Sequence, residues 1–164
     1  MAAFSFAVSA CLRRPIRIFQ GPESSELSRD FTYIDDIAAG VVASMDAAPP
    51  STKDQARHEV FNLGNTAPHT VSELVDALDA ALGTPAIRDM VPMPRQGDVL
   101  ATFANISKAA DRLGYKPAVD LRSGVDRFAA WFRAYYGSAA LPADDEEKPR
   151  RKRAPPSDWD YIPL

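Results

Sequence analysis

The sequence predicts an α/β chain in which helices outweigh short strands, on three observations. Apolar residues recur at helical spacing over about 35–46, 70–83 and 121–137. Short apolar runs at 15–19, 60–63 and 87–93 lie outside them, each closed by glycine or proline. The third observation is the run Arg29-Asp30-Phe31-Thr32-Tyr33-Ile34-Asp35-Asp36, which joins a strand pattern to a helix start and is dense in charge. Phe31, Tyr33 and Ile34 can face a core, whereas Arg29, Asp30, Asp35 and Asp36 cannot be buried unpaired without a penalty of several kcal/mol. A short strand with an arginine at its mouth, running into an acidic helix start, places a fixed cation beside a groove. An anion is the first ligand to consider.

At 164 residues and 46% hydrophobic, the chain can form one ordinary core or part of a larger domain. A net charge of -3 gives no general pull towards nucleic acid or anionic membrane, so no nucleic-acid partner is expected. The single cysteine, Cys11, has no internal disulfide partner, which makes a reduced, cytosolic-type setting the default. No apolar run approaches the ~18 residues that span a bilayer.

Residues 1–14 have two readings. They lack acidic side chains and end in Arg13-Arg14, as a transit peptide would, but serine is sparse and Phe4, Val8, Cys11 and Leu12 fall on one side of a plain helix, which the pattern favours. A secretory signal is excluded, because its positive charge precedes the apolar stretch. Pro15 then opens a strand through Ile18-Phe19 that Gly21-Pro22 ends, and 20–28 reads as a polar loop. The next helix, about 35–46, has Ile37, Val41, Val42 and Met45 at helical spacing and an acidic start at the positive end of the helix dipole. An exposed loop over 49–54 leads to Val60-Phe61-Asn62-Leu63, a strand closed by Gly64-Asn65.

Thr70 with Glu73 three residues on forms a capping box, and Val71, Leu74, Val75, Leu78 and Leu82 form the apolar stripe that Gly83 terminates. The strand over 87–93 is broken by Pro92 and Pro94 and leads into Arg95-Gln96-Gly97-Asp98. A short helix over 107–113 stops at Gly114 and Pro117, and the last helix starts after Asp120 and turns Leu121, Val125, Phe128, Phe132 and Tyr135 towards a core. From 138 an acidic block, a mostly basic run and Pro155-Pro156 predict a disordered tail. Its basic run reads first as solvated charge and second as a nuclear signal or phosphate contact.

No metal site is expected, since His58, His69 and Cys11 do not stand at ligand spacing. Cys11 on an apolar helical face reads as packing, and nothing resembles a nucleophile elbow. The Asp35-Asp36 pair could serve acid–base work, although helix capping explains it more cheaply. What remains is Arg29, Arg95 and Asp98 in short loops between apolar segments. An arginine can clamp a phosphate through two parallel hydrogen bonds and an aspartate can accept from ribose hydroxyls, so together they suit a nucleoside diphosphate; each arginine taken singly also fits a surface ion pair.

The run from Arg29 to Asp36 resembles the signature of the NAD-dependent epimerase/dehydratase family, the extended short-chain dehydrogenase/reductases, and specifically the UDP-glucuronate 4-epimerases. The similarity continues through Val60-Phe61-Asn62-Leu63-Gly64-Asn65, Met93-Pro94-Arg95-Gln96-Gly97-Asp98-Val99, Asn105-Ile106-Ser107-Lys108 to Leu113-Gly114-Tyr115-Lys116-Pro117, and residues 128–136. It implies the smaller, C-terminal nucleotide-sugar-binding lobe of a Rossmann-type epimerase over 1–137, with 138–164 outside it. It further implies that Arg29 and Arg95 contact the UDP diphosphate, that Asp98 holds the uridine ribose, that the Ile18-Phe19 strand end packs near the uracil, and that Asn62 borders the same groove.

The sequence departs from the family in two places. Family members bind NAD on a G-x-x-G-x-x-G turn, whereas here no two glycines lie closer than Gly114 and Gly124. Their chemistry uses Tyr-x-x-x-Lys, and four residues after Tyr33, Tyr115, Tyr135 and Tyr136 stand Ile37, Val119, Ala139 and Ala140. The resemblance therefore implies a UDP-sugar partner, UDP-glucuronate or UDP-galacturonate, and NAD in full-length relatives, with no NAD bound and no catalysis expected of this chain. The alternative is a non-catalytic module that binds UDP-sugars or pairs with an epimerase subunit. A third reading is a misassigned start codon in a longer gene. A family-like homodimer is expected only together with the N-terminal half, and localisation stays open between cytoplasmic by default and the Golgi membrane of plant-type relatives.

Overall fold

The structure, a computed structural model, describes residues 2–50, 58–94 and 99–137. Helix α3 (Val71–Leu82) forms where the capping box stands. Thr70 Oγ1 accepts from the Glu73 N–H at 3.1 Å, the Glu73 carboxylate accepts from the Thr70 N–H at 2.6 Å, and Gly83 closes the helix at φ 66°. Helix α5 (Leu121–Tyr136) starts on Asp120, whose carboxylate accepts from the Ser123 N–H at 2.9 Å. The apolar stripes of α3 and α5 face each other, and α1 (Ala2–Cys11) packs on α3.

Ala7, Leu74, Leu78, Val125 and Phe132 form the centre of this core, and Phe4, Phe6, Val8, Cys11 and Phe31 pack around it. Cys11 is thus a packing residue. Among the described residues, no helix is long and apolar enough to cross a membrane.

Strand β1 (Pro15–Gln20) pairs in parallel with β4 (Ile87–Pro92), from Pro15 opposite Ile87 to Gln20 opposite Pro92. The period of two turns Ile16 and Ile18 inward onto Val75 of α3 and leaves Pro15, Arg17 and Phe19 outward. The 20–28 stretch holds more structure than a polar loop. A single 3-10 turn (Pro22–Ser24) is followed by Leu27, 2% exposed, and by β2 (Ser28–Arg29), antiparallel to β3 (His69–Thr70). An apolar leucine at its end is the signal in the sequence that this stretch returns to the core.

Helix α2 runs Ile34–Asp46 and α4 runs Ser107–Leu113, closed by Gly114 at φ 64°. Two expectations need correction here. The expected strand over 60–63 carries no ladder, since a strand needs a neighbour's N–H and C=O groups and none of the described strands runs beside it. The capping role for Asp35-Asp36 also fails, because Tyr33 occupies the N-cap position of α2 and makes no side-chain cap. Instead the Asp36 carboxylate, 8% exposed, accepts the N–H groups of Ala118 and Val119, both at 3.1 Å, and ties α2 to the chain entering α5. Asp35 is exposed and stands 3.5 Å from Arg127, whose guanidinium lies 5.3 Å from the centre of the Tyr33 ring.

A candidate diphosphate site at the strand ends

The parallel pair β1 and β4 ends on one side, and the chain there is tied across by the Met93 N–H donating to Gln20 O at 2.8 Å. From the end of β1 the chain turns through 21–27 into β2; from the end of β4 it passes through 95–98 to Leu100. The two paths then meet. The Ser28 N–H donates to Leu100 O at 2.9 Å and the Thr102 N–H to Ser28 O at 3.2 Å, with Ser28 bridged in parallel to Ala101. Residue 28 is therefore held between β3 on one side and 100–102 on the other.

Arg29 stands at this junction, half-buried, with Nη1 donating to Ser28 O at 2.7 Å and reaching Leu100 O at 3.5 Å. The ladder through Ser28 sets its place beside Leu100. Arg95 and Asp98 lie outside the described residues. Phe19 is 37% exposed on the outward side of β1, whereas Ile18, at 2%, has almost no surface to offer a ligand and packs against Ile16 and Val75. Asn62 is exposed, and its Nδ2 donates to Asn105 O at 3.4 Å.

Asn62 lines a cleft of about 420 Å³ with Asp30, Phe61, Gly64, Thr102 and Phe103. This cleft adjoins the Arg29 junction through Asp30 and Thr102. A more apolar cleft of about 470 Å³ lies between α1 and α5, walled by Phe4, Phe31, Tyr33, Leu74, Val125 and Phe128. Neither cleft has a lysine or arginine in its lining, and the 420 Å³ cleft is the one that adjoins Arg29.

Sequence reasoning placed Asp30 only as a charge that must find partners. The structure gives it three, the N–H groups of Asn65, Thr66 and Ala104 at 3.1, 3.2 and 3.0 Å. Tyr115, which enters the sequence reading within a matching motif and as a tyrosine without the lysine four residues on, is buried, and its hydroxyl donates to Gly64 O at 3.1 Å. Burial first, then the negative charges of Asp36 and Asp30, hold its pKa above the ordinary 10.0. The folded state thus keeps this proton longer than the unfolded chain does, so stability is full below pH 10.0 and falls as pH rises through the folded-state value. Thermal unfolding of Tyr115→Phe should show a smaller alkaline loss than the unsubstituted chain; an identical loss would remove Tyr115 as its source.

No protein-family model matches the chain. UDP-glucuronate 4-epimerase 1 of Arabidopsis thaliana is 46% identical over 143 residues, 84% of this chain and 33% of that protein. The crystal structure of UDP-glucuronic acid 4-epimerase from Bacillus cereus, in complex with UDP-glucuronic acid and NAD, is 29% identical with a TM-score of 0.68, over 83% of this chain and 40% of that one. UDP-glucose-4-epimerase from Stenotrophomonas maltophila, with bound NAD and formylated UDP-arabinopyranose, gives a TM-score of 0.71 at 29% identity over 85% and 41%. Two further Arabidopsis thaliana proteins, UDP-glucuronate 4-epimerases 6 and 3, are 43% and 44% identical to the chain, so its similarity is to a portion of these epimerases. Its fold is that of an α/β C-terminal lobe of these NAD-dependent epimerases, and it spans about a third of the length of the curated relatives it matches.

The Bacillus cereus epimerase holds NAD in its crystal structure. Among the described glycines, Gly83, Gly114 and Gly137 end helices, Gly40, Gly64 and Gly124 sit where side chains crowd them, and Gly21, which follows β1, stands alone and is crowded by Leu100 and Ser25, so no glycine-rich turn joins a described strand to a helix. The buried tyrosine, Tyr115, has a raised pKa and a committed hydroxyl, the opposite of what a proton-abstracting tyrosine requires.

Proposed function

We propose that this chain, over residues 1–137, is the UDP-sugar-binding part of a UDP-glucuronate 4-epimerase-like protein, and that by itself it does not interconvert UDP-glucuronate and UDP-galacturonate. The observation that carries the proposal is the half-buried Arg29, whose guanidinium reaches Leu100 O in the stretch after β4, while the Leu100 side chain packs on Gly21 at the carboxyl end of β1. Ligands of open α/β sheets bind at that end of the strands. A guanidinium fixed there can take two diphosphate oxygens in parallel hydrogen bonds.

On this reading Arg29 and Arg95 hold the diphosphate, Asp98 accepts from the ribose hydroxyls, Phe19 covers one face of the uracil and Asn62 borders the groove. Ile18 serves from beneath, by fixing the strand that presents Phe19. NAD, when bound in a full-length relative, supplies the hydride acceptor for the 4-hydroxyl; no residue of this chain is assigned to that step.

Calorimetric titration of the 164-residue chain with UDP tests the proposal. Saturable binding is expected, weakened at least about tenfold in Arg29→Ala, since one charge-assisted hydrogen bond contributes ~1.5–3 kcal/mol. Equal affinity in the variant would contradict it.

A second reading, a subunit-interaction module, is favoured by α2. Ile34, Val41, Val42 and Met45 are 45–70% exposed on this helix, an apolar face without cover among the described residues. The same titration separates the readings, because a pure interaction module leaves UDP unbound in both proteins.

A further inference from the structure

We propose that Asp30 is the positioning residue of the diphosphate site, holding Arg29 and the walls of the adjoining cleft in register. This rests on the reading of Arg29 as a diphosphate ligand. Asp30 follows Arg29 directly, and its carboxylate gathers two separate segments. Oδ1 accepts from the Asn65 N–H at 3.1 Å, and Oδ2 from the Thr66 N–H at 3.2 Å and the Ala104 N–H at 3.0 Å. Its own N–H donates to Thr102 Oγ1 at 3.0 Å. One side chain therefore joins β2 to the 64–66 turn and to the 102–104 strip that continues from 95–98.

Three features suit an aspartate at this place. Three donors converge on it, and only a carboxylate accepts on both oxygens; an asparagine would turn its NH2 group towards an N–H. The carboxylate and Ala104 close in on a glycine, since a Cβ on Gly64 would come within 2.3 Å of Ala104 Cβ and 2.8 Å of Asp30 Oδ2 and would displace one of them. Thr66 takes φ 60°, a left-handed backbone that a β-branched residue adopts only when its surroundings impose it. The Asp30 bond to the Thr66 N–H is part of that imposition.

These bonds serve the site more than the core. The central cluster is built from α1, α3 and α5, and none of the four Asp30 bonds reaches those helices. Two of them end on Thr102 and Ala104, which wall the 420 Å³ cleft, and two on Asn65 and Thr66, next to Gly64 in its wall. Without the Asp30 carboxylate the helices and the Ser28 ladder remain, while the 64–66 turn and Ala104 lose their common anchor to the residue that follows Arg29.

The experiment compares UDP affinity and thermal stability of the full chain with those of Asp30→Asn and Asp36→Asn. Asp36 is a matched control, a carboxylate on two backbone N–H groups that lies in the tie between α2 and α5. Asp30→Asn is expected to weaken UDP at least tenfold at temperatures where it is folded. Asp36→Asn, with a comparable loss of Tm, should stay within twofold of the unsubstituted chain. Unchanged affinity in Asp30→Asn, or an equal loss in both variants, overturns the proposal. Should Asp30→Asn not fold, Thr102→Val removes only the acceptor of the Asp30 N–H; a loss of about threefold supports the proposal and an unchanged affinity overturns it. An unsubstituted chain that binds no UDP overturns the site reading itself, and the role of Asp30 with it.

Discussion

Phe132→Ala is expected to lower the unfolding free energy by about 3–5 kcal/mol, the usual cost of replacing a fully buried phenylalanine with a methyl group. Phe132 is 3% exposed and sits where α5 meets α1, with ring centres 5.9 Å from Phe4, 5.8 Å from Phe128 and 5.1 Å from Tyr136. The neighbours are themselves rings on helices and cannot collapse into the void without shifting backbone, so little of the loss is recovered. A total stability of ~5–15 kcal/mol for a domain makes this a large share, and Tm should fall by about 10–20 °C. Differential scanning calorimetry checks it; a shift of a degree or two would mean that the α1–α3–α5 cluster is not the core.

Asp36→Ala is expected to cost about 2–4 kcal/mol. The carboxylate is almost buried and accepts two backbone N–H groups, each such charged hydrogen bond contributing ~1.5–3 kcal/mol, and its removal leaves the Val119 donor without a partner in a buried position. Water reaching the Ala118 side offsets part of the loss. Asp36→Asn should recover only some of it, because one oxygen still accepts while the NH2 group faces the second donor. Chemical denaturation of the two variants measures this directly. A surface helix cap would give nearly equal values for both, and that result would contradict the tie between α2 and α5.

Much of the fold is legible in the residues. The Thr70–Glu73 capping box, the stripe from Val71 to Leu82 and Gly83 define α3 because each acts within one turn of its own helix. Asp120 and the stripe through Phe132 do the same for α5. What the sequence conceals is chemistry that acts across the chain. Asp36 sits where a helix-start acid belongs by pattern, and nothing local reveals that its oxygens bond a backbone 82 residues further on. The same holds for Asp30 and Ala104, 74 residues apart.

The 60–63 stretch shows the reverse case. Val60-Phe61-Asn62-Leu63 has the composition of a strand, but a strand is made by its neighbours, and the described residues provide none beside it. Val60 is accordingly 72% exposed. Of the candidate site, the sequence picks out Arg29 by its charge at the mouth of an apolar run. It cannot show that β2 is held between β3 and 100–102, which is what brings Arg29 beside the path leading out of 95–98.

A lobe that grips a nucleotide at the ends of β1 and β4 makes one direct demand on experiment. In an amide NMR titration of the 164-residue chain with UDP, saturable shifts are expected at Phe19 and Gln20, at 28–30 and across 99–104. Shifts confined to the apolar cleft between α1 and α5, or none at concentrations that saturate a weak site, would contradict the assignment of this chain as the UDP-binding lobe.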